Sequence, residues 1–437
     1  MASTATAAAP TVERIEALDF VRGCALFGIL LMNIVGMGLG PAYDDPTIAG
    51  GATGINLWSW IVTSIAFEGT QRALFSILFG AGVILFTARL EAAGRTDVAD
   101  IYLRRNMWLI GFGLVNAFIL LFVGDILFYY GVTALFLFVF RKLPAKKLLA
   151  IGVAGLLLNA AWNALDTYNL STLHQEYRSA SAVAPAARTP AQKHAIEKWK
   201  AKESDAKPPP EAFAAIKRGY SQGYWSAMQT TSAVAVRFES WGLYRNFFDF
   251  FGMMVLGMGL YKLGVLTLQV RTRVYLAMLA LGYGVGLTVN IAETRWIIDN
   301  GFSFLAYKQA AISYDLGRLA MTMGHLGALM LFLKSGALSW LRRSMAAVGR
   351  MAFTNYITHS VVALILFTGF GLFGALERHQ LYLIVFTVWA VQLVVSRLWL
   401  RHFRFGPLEW LWRYLTYGER PPFRRAQPMP AALAPAE

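Results

Sequence analysis

The sequence predicts an all-α polytopic membrane protein: about ten transmembrane helices, both termini in the cytoplasm, and a small helical cap outside the bilayer. Three observations predict it. Of 437 residues, 57% are hydrophobic and only 15% charged, where a soluble domain carries roughly 25% charged residues. The apolar residues gather in runs close to the 20 or so that a helix needs to cross a bilayer. The 40 Lys and Arg against 25 Asp and Glu fall mainly in alternate connections, which is an orientation signal. No basic stripe interleaved with aromatics marks a soluble module, so nucleic acid is not expected as a partner.

Residues 1–16 are small and mostly neutral at their start, lack a basic n-region, and are assigned to a cytoplasmic N-terminus without a cleavable leader of the usual form. The N-terminal membrane half, 17–166, carries five predicted spans at 17–40, 72–90, 105–123, 125–141 and 147–166. The apolar run 56–67 is too short to cross and is predicted to be a re-entrant or interfacial helix leading into the second span. Segment 167–241 is polar and contains Pro208-Pro209-Pro210, which reads as an extracytoplasmic cap. Within it, Thr189-Pro190 predicts one helix start and Pro210-Glu211 a second, running through Phe213, Ile216 and Tyr220. The low-complexity stretch 179–190 is expected to be mobile. The C-terminal half, 242–399, carries spans at 243–264, 273–292, 312–333, 350–374 and 380–399. The basic tail, 400–437, is expected in the cytoplasm, with Trp410 and Trp412 as an interfacial anchor and disorder after Pro421. Connections on one side, with the tail, hold 22 Lys and Arg; the other short connections hold Arg295, Lys308 and Arg378. Glycines such as Gly36, Gly38 and Gly40, or Gly282, Gly284 and Gly286, predict close helix packing.

Ionisable residues inside spans carry most of the functional information, because each costs roughly 2.5–3.5 kcal/mol at the bilayer centre and faces protein rather than lipid. Asp19 and Arg22 share a helix face near the cytoplasmic end of the first span. They read either as an anchor with a snorkelling arginine or as a site for the phosphates of a cytosolic cofactor. Asn33 lies about 16 Å further out. Asp44 and Asp45 follow in the first external loop. Glu68 with Arg72, Asp125, Arg245 with Asp249, Asn290 with Glu293, and Asp315 with Arg318 all lie within about two turns of the outer face. Each pair alone is an interhelix clamp; together they predict a polar cavity in that leaflet. His325 and His359 sit mid-membrane, where they are hydrogen-bonded core residues or proton carriers. No HExxH or CxxC ligand spacing, Walker A sequence, strand-linked GxGxxG or GxSxG elbow occurs, so no metal site is expected. The single Cys24 excludes an intramolecular disulfide.

Six stretches resemble the YeiB-like membrane proteins, the domain-of-unknown-function 418 family. They are RIEALDFVRGCALFGILLMNI at 14–34, FEGTQRALFSILFGAGV at 67–83, GDILFYYGV at 124–132, FFGMMVLGMGLYKLGVL at 250–266, GRMAFTNYITHS at 349–360 and FRFGPLEWLWRYLTYG at 403–418. The last two are the most specific; the penultimate one holds Asn355 and His359. The N-terminal half of that family is similar to membrane acyltransferases of the heparan-α-glucosaminide N-acetyltransferase type. The resemblance lies at Leu18-Asp19, Arg22-Gly23 and Asn33. It implies transfer of an acyl group from cytosolic acyl-CoA to a hydroxyl or amine on the other side. The histidine expected soon after the asparagine is replaced here by Pro41-Ala42-Tyr43-Asp44-Asp45, and this chain has Asn116 where relatives have histidine.

On that reading Asp19, Arg22, Arg104, Arg105 and Arg350 form the donor site, the arginines binding CoA phosphates. Asn33 orients the acyl carbonyl. Asp44, Asp45, Glu68 or His325 takes the acceptor proton. The acceptor is an envelope glycan, lipid or small molecule, and the setting is a bacterial inner membrane. Arg72, Asp125, Arg245, Asp249, Asp315, Arg318, Asn355 and His359 complete the cavity and motif candidates. Two other classes stay open: a transporter or flippase, and a non-catalytic scaffold whose cap binds a partner. A second copy of the chain also stays open as a partner.

Overall fold

The computed structural model describes residues 12–425, with side chains from residue 16 onward. Most of the N-terminal stretch 1–16 and the tail beyond residue 425 therefore lie outside the described residues. Helices in chain order are α1 (Val12–Leu39), α2 (Gly54–Ala66), α3 (Thr70–Ala92), α4 (Val98–Phe118), α5 (Leu127–Leu137) and α6 (Ala145–Ser181). Then follow α7 (Pro190–Ala206), α8 (Pro210–Ser221), α9 (Tyr224–Arg237), α10 (Leu243–Lys262), α11 (Thr272–Asp299) and α12 (Phe304–Ala310). The chain closes with α13 (Tyr314–Ser335), α14 (Ser339–Arg350), α15 (Ala352–Ala363), α16 (Arg378–His402) and α17 (Pro407–Tyr417). Among the described residues the only strand-like pairing is an isolated bridge between Phe403 and Arg424.

All ten predicted spans coincide with helices. Seven helical runs are long and apolar enough to cross a membrane on those grounds alone, α2 and α3 being taken as one. The chain is an all-α polytopic integral membrane protein. α4 and α10 fall outside the seven; they carry Asp100, Arg104 and Arg105, and Arg245, Asp249 and Lys262, respectively. The apolar stretch of α5 is shorter, 127–140.

α1 is the central helix. In its apolar window 72% of residues are buried, against 22% in both α11 and α16. The outer helices instead expose rows of large apolar side chains, such as Leu276, Leu281 and Ile291 on α11 and Leu383, Phe386 and Val394 on α16. Those rows suit a hydrocarbon surround, where apolar exposure carries no penalty.

Small residues let the inner helices touch. A Cβ on Gly80 would collide with the Met254 carbonyl, and one on Gly257 with the Ile77 carbonyl, so α3 and α10 meet backbone to backbone. α11 and α13 meet likewise at Gly282 and Gly324, whereas Gly284 faces open space. α14 was not anticipated. Its Ala346, Ala347, Val348 and Gly349 are buried, and Gly349 lies against the Asp19 carbonyl of α1. Its basic residues made it read as a connection.

The cap is less separate than the change in polarity suggests. α6 continues unbroken to Ser181, about ten turns in all. α9, a π-helical turn at Phe238–Gly242 and α10 form one continuous run. The two anticipated cap helices are α7 and α8. α7 starts with a capping box in which the Thr189 hydroxyl accepts from Gln192 N–H (3.3 Å) and the Gln192 side chain accepts from Thr189 N–H (2.9 Å).

Residues 421–425 are ordered against the expectation for the tail. Phe423 packs on Phe403 and Trp410, and its carbonyl accepts from Arg404 N–H (2.9 Å). Trp412, half-buried, donates its indole N–H to the Arg105 carbonyl (2.9 Å), and its ring lies 3.6 Å from the Arg105 guanidinium carbon.

Candidate functional site

A cavity of about 330 Å³ lies where α2, α3, α6, α10, α11 and α13 converge, at the end of the bundle that carries the cap. Its geometry begins with α2, which ends at Ala66 and is followed by a left-handed Gly69 (φ +65°). A side chain at Gly69 would strike Tyr314 and Arg318, so glycine is required both by conformation and by space. The carbonyls left free at the α2 C-terminus are met by donors from other helices. Asn290 Nδ2 donates to the Ile65 carbonyl and His325 Nε2 to the Ala66 carbonyl, each at 2.7 Å. With Nε2 as donor, His325 Nδ1 is assigned as acceptor for the Tyr283 hydroxyl (2.9 Å). His325 thus pins α2, α11 and α13 together. It does not line the cavity.

Asp249 anchors one wall. Arg72 Nη1 donates to it at 2.8 Å, and Arg318 bonds both of its oxygens, one at 2.8 Å. Arg318 also reaches Asp315 at 2.6 Å, and Asp315 accepts from Asn159 at 2.7 Å. Arg318 is only 2% exposed. Four helices are therefore joined through one charge chain: Arg72 from α3, Asp249 from α10, Asp315 and Arg318 from α13, and Asn159 from α6. Arg245 takes no part; it pairs with Asp166 (3.0 Å) and Asn163 (2.6 Å).

Glu68 stands on the opposite terms. No cation contacts it. Its carboxylate accepts only from the Tyr43 hydroxyl (3.2 Å) and the Tyr314 hydroxyl (3.4 Å). Asp44 also lines the cavity. Its carboxyl is exposed at the rim, where the Lys308 and Arg378 charges act on it. Asp45 points elsewhere. It holds Thr47 (2.8 Å to N–H) and ties the loop to the cap through Lys207 (3.0 Å). Met32 lines the cavity and Asn33 does not.

The remaining candidates separate into two groups. At the basic end, Arg22 pairs with Asp19 at 2.7 Å, and Asp19 also feels Arg350 and Arg89. Arg105, stacked on Phe86 and Trp412, feels Arg22 and Arg413. Arg104 is committed to Asp100. On the far side of the bundle, Asp125 is fully buried and accepts from Asn116 (2.7 Å), Phe128 N–H (2.9 Å) and Tyr356 (3.3 Å). His359 meets Gln392 (3.2 Å), and Asn355 meets Ser396 (3.0 Å), joining α15 to α16.

Sequence reasoning missed Tyr43, Tyr314 and Arg378 as site residues. Arg378 is buried and donates to the Ala42 and Tyr43 carbonyls, holding the loop that carries Asp44. Its place among the few basic residues of the cap-side connections was the available signal. Among the described residues no cluster of three or more His, Cys, Asp or Glu is placed to hold a metal ion.

The two most specific sequence stretches hold each other. Glu409, of FRFGPLEWLWRYLTYG, accepts from the N–H groups of Phe353 (2.7 Å) and Thr354 (3.0 Å) and from the Thr354 hydroxyl (2.5 Å). It thereby caps α15, which carries the rest of GRMAFTNYITHS.

Comparison with known proteins agrees with the extent of these stretches. The model of the family "Protein of unknown function (DUF418)" matches residues 260–419. The uncharacterised protein YxaH of Bacillus subtilis is 30% identical over 423 residues, covering 93% of this chain and 95% of its own. The uncharacterised protein YeiB of Escherichia coli is 29% identical over 416 residues, covering 93% and 97%. No solved structure matches. Matched nearly end to end by such relatives, the chain belongs to the YeiB-like DUF418 family of membrane proteins.

Proposed function

We propose that the protein is an acyl-CoA-dependent membrane acyltransferase whose cap-end cavity binds the acceptor. The observation that carries this reading is Glu68: a carboxylate facing a polar cavity, hydrogen-bonded to two phenols and in direct contact with no cation. Of the other carboxylates that line the cavity, Asp249 is held by Arg72 and Arg318, Glu293 accepts from the Ser313 hydroxyl (2.6 Å), and Asp44 is exposed. Glu68 is the general base. It takes the proton from the acceptor hydroxyl or amine as that group attacks the acyl carbonyl. The carbon–sulfur bond of the thioester breaks, and the CoA thiolate leaves and is protonated from solvent. Arg72, with donors left over from Asp249, faces the charge that develops on the carbonyl oxygen.

The donor enters from the basic end, which this reading assigns to the cytoplasm of a bacterial inner membrane. Arg22, Arg105 and Arg350 receive its phosphates there. Arg22 and the cavity residue Met32 are ten positions apart on α1, so the acyl arm reaches about 15 Å along that helix. The acceptor is an envelope glycan, lipid headgroup or small polar metabolite.

One observation favours a second reading, a transporter or flippase without covalent chemistry. Asn33, the residue that the resemblance makes an acyl-orienting group, is not part of the cavity wall. Binding of acyl-CoA to purified protein in nanodiscs separates the two. Acyl transfer expects binding that Arg22→Ala abolishes and Glu68→Gln retains. Absence of binding by folded wild type overturns it.

A further inference from the structure

Glu239 lies in the π-helical turn Phe238–Gly242, between the cap helix α9 and the span that begins at Leu243. It is 6% exposed, and neither carboxylate oxygen has a hydrogen-bond partner. Such a group is expensive to bury. Its neighbourhood makes matters worse for an anion. The charge that acts on it is the Asp125 carboxylate, itself buried without a cation. The other titratable groups facing the pair are Tyr129, whose hydroxyl donates to the Phe238 carbonyl (2.6 Å), and Tyr356, which bonds Asp125 (3.3 Å). Beyond Tyr356 lies His359, with ring centroids 6.4 Å apart. Arg237, the adjacent cation on the helix, points out to Asp205 (3.1 Å).

The hydrogen-bond inventory shows what is missing. Asp125 is supplied with three donors, from Asn116, Phe128 and Tyr356. Asn116, which is wholly buried, gives its amide N–H to Asp125 and leaves its Oδ1 without a partner. Two oxygens of Glu239 and one of Asn116 thus lack a donor. Three free oxygens fall short of the six or more that a hard divalent cation takes. A proton is the ligand that fits, since it removes the anionic charge and turns one acceptor into a donor.

We propose that Glu239 and Asp125 form a proton-binding site at the junction of cap and bundle, the proton residing on Glu239 at neutral pH. The proposal does not depend on acyl transfer. Burial, with the repulsion of Asp125, pushes the Glu239 carboxyl up to about 9. Unfolded, it returns to about 4.3. Between those values the folded chain holds the extra proton, so stability falls as pH rises toward 9. Gln mimics the protonated acid, and Glu239→Gln removes that loss.

The test compares full-length wild type with Glu239→Gln in nanodiscs, by infrared difference spectroscopy of the protonated carboxyl band and by melting from pH 5 to 9. A band present at pH 7, lost on alkalinisation and absent from Glu239→Gln is the expected result. The wild-type melting temperature is expected to fall relative to the variant as pH rises. No band sensitive to the substitution, or a constant melting difference across pH, overturns the proposal. So does displacement of the band by sodium at fixed pH, which would make the ligand an alkali cation. Should Glu239→Gln not fold, Asp125→Asn serves as the second variant: it removes the repelling charge, and the wild-type band is expected to persist to higher pH.

Discussion

An aspartate buried between two arginines is held by more than either pair alone. Asp249 neutralises Arg318, which is itself 2% exposed, and Arg72. Removing it leaves Arg72 without a carboxylate partner and the buried Arg318 with Asp315 alone, an effect of about 3 kcal/mol. Asp249→Ala is therefore expected to lower the melting temperature sharply, whereas Glu68→Gln, which disturbs only two phenol contacts, is expected to change stability by about 1 kcal/mol or less. Thermal melts in detergent check both. The contrast separates the group that builds the cavity from the group that acts in it. These residues were legible as charges gathered in one leaflet. Their pairing was legible only in part: Asp315 and Arg318 do meet at i,i+3 (2.6 Å). The i,i+4 spacing suggested Arg245 with Asp249 and Glu68 with Arg72, but three-dimensional neighbours took over: Asp166 claimed Arg245, and Arg318 from α13 claimed Asp249. Tyr43 and Tyr314 escaped notice because phenols in a chain with 18 tyrosines give no sequence signal.

At the scale of helices, each predicted span falls on a helix, seven of the helical runs being long and apolar enough to cross, and several ends are misplaced. α6 does not stop at residue 166, where apolar character fades, because no proline or glycine interrupts it before Ser181. α14 shows the opposite error. It is short and carries Arg342, Arg343 and Arg350, yet its small residues let it lie against α1. Gly349→Leu is expected to force α1 and α14 apart and destabilise by about 1–3 kcal/mol, as overpacking does. Glu409→Ala is expected to lose about 1–2 kcal/mol, the worth of a good helix cap, and Glu409→Gln about half of that. Chemical denaturation of the two Glu409 variants beside wild type reads this out. A larger loss for Gln than for Ala would contradict the capping role.

Over the whole molecule, the basic short connections and tail lie at one end and the cavity and cap at the other. The proposed orientation has a direct check, since Cys24 is the only native cysteine. In a Cys24→Ser background, a membrane-impermeant maleimide is expected to label Ser204→Cys on the exposed cap helix α7 in intact cells. Ser339→Cys, at the exposed start of α14, is expected to react only after permeabilisation. The reverse pattern would invert the donor and acceptor sides. The all-helical architecture and the family were readable from composition, apolar runs and six sequence stretches. The identity of the chemistry was not, because it depends on which face of α1 meets the cavity, and one position decides between Met32 and Asn33.

The central claim is that an acyl donor held at the basic end serves an acceptor cavity whose base is Glu68. The most direct measurement is equilibrium binding of acetyl-CoA and longer acyl-CoAs to the protein in nanodiscs, for wild type, Arg22→Ala and Glu68→Gln. Micromolar binding to wild type, at least tenfold weaker binding to Arg22→Ala, and unchanged binding to Glu68→Gln are expected. No binding of any acyl-CoA to folded wild type, or equal binding to Arg22→Ala, would contradict it.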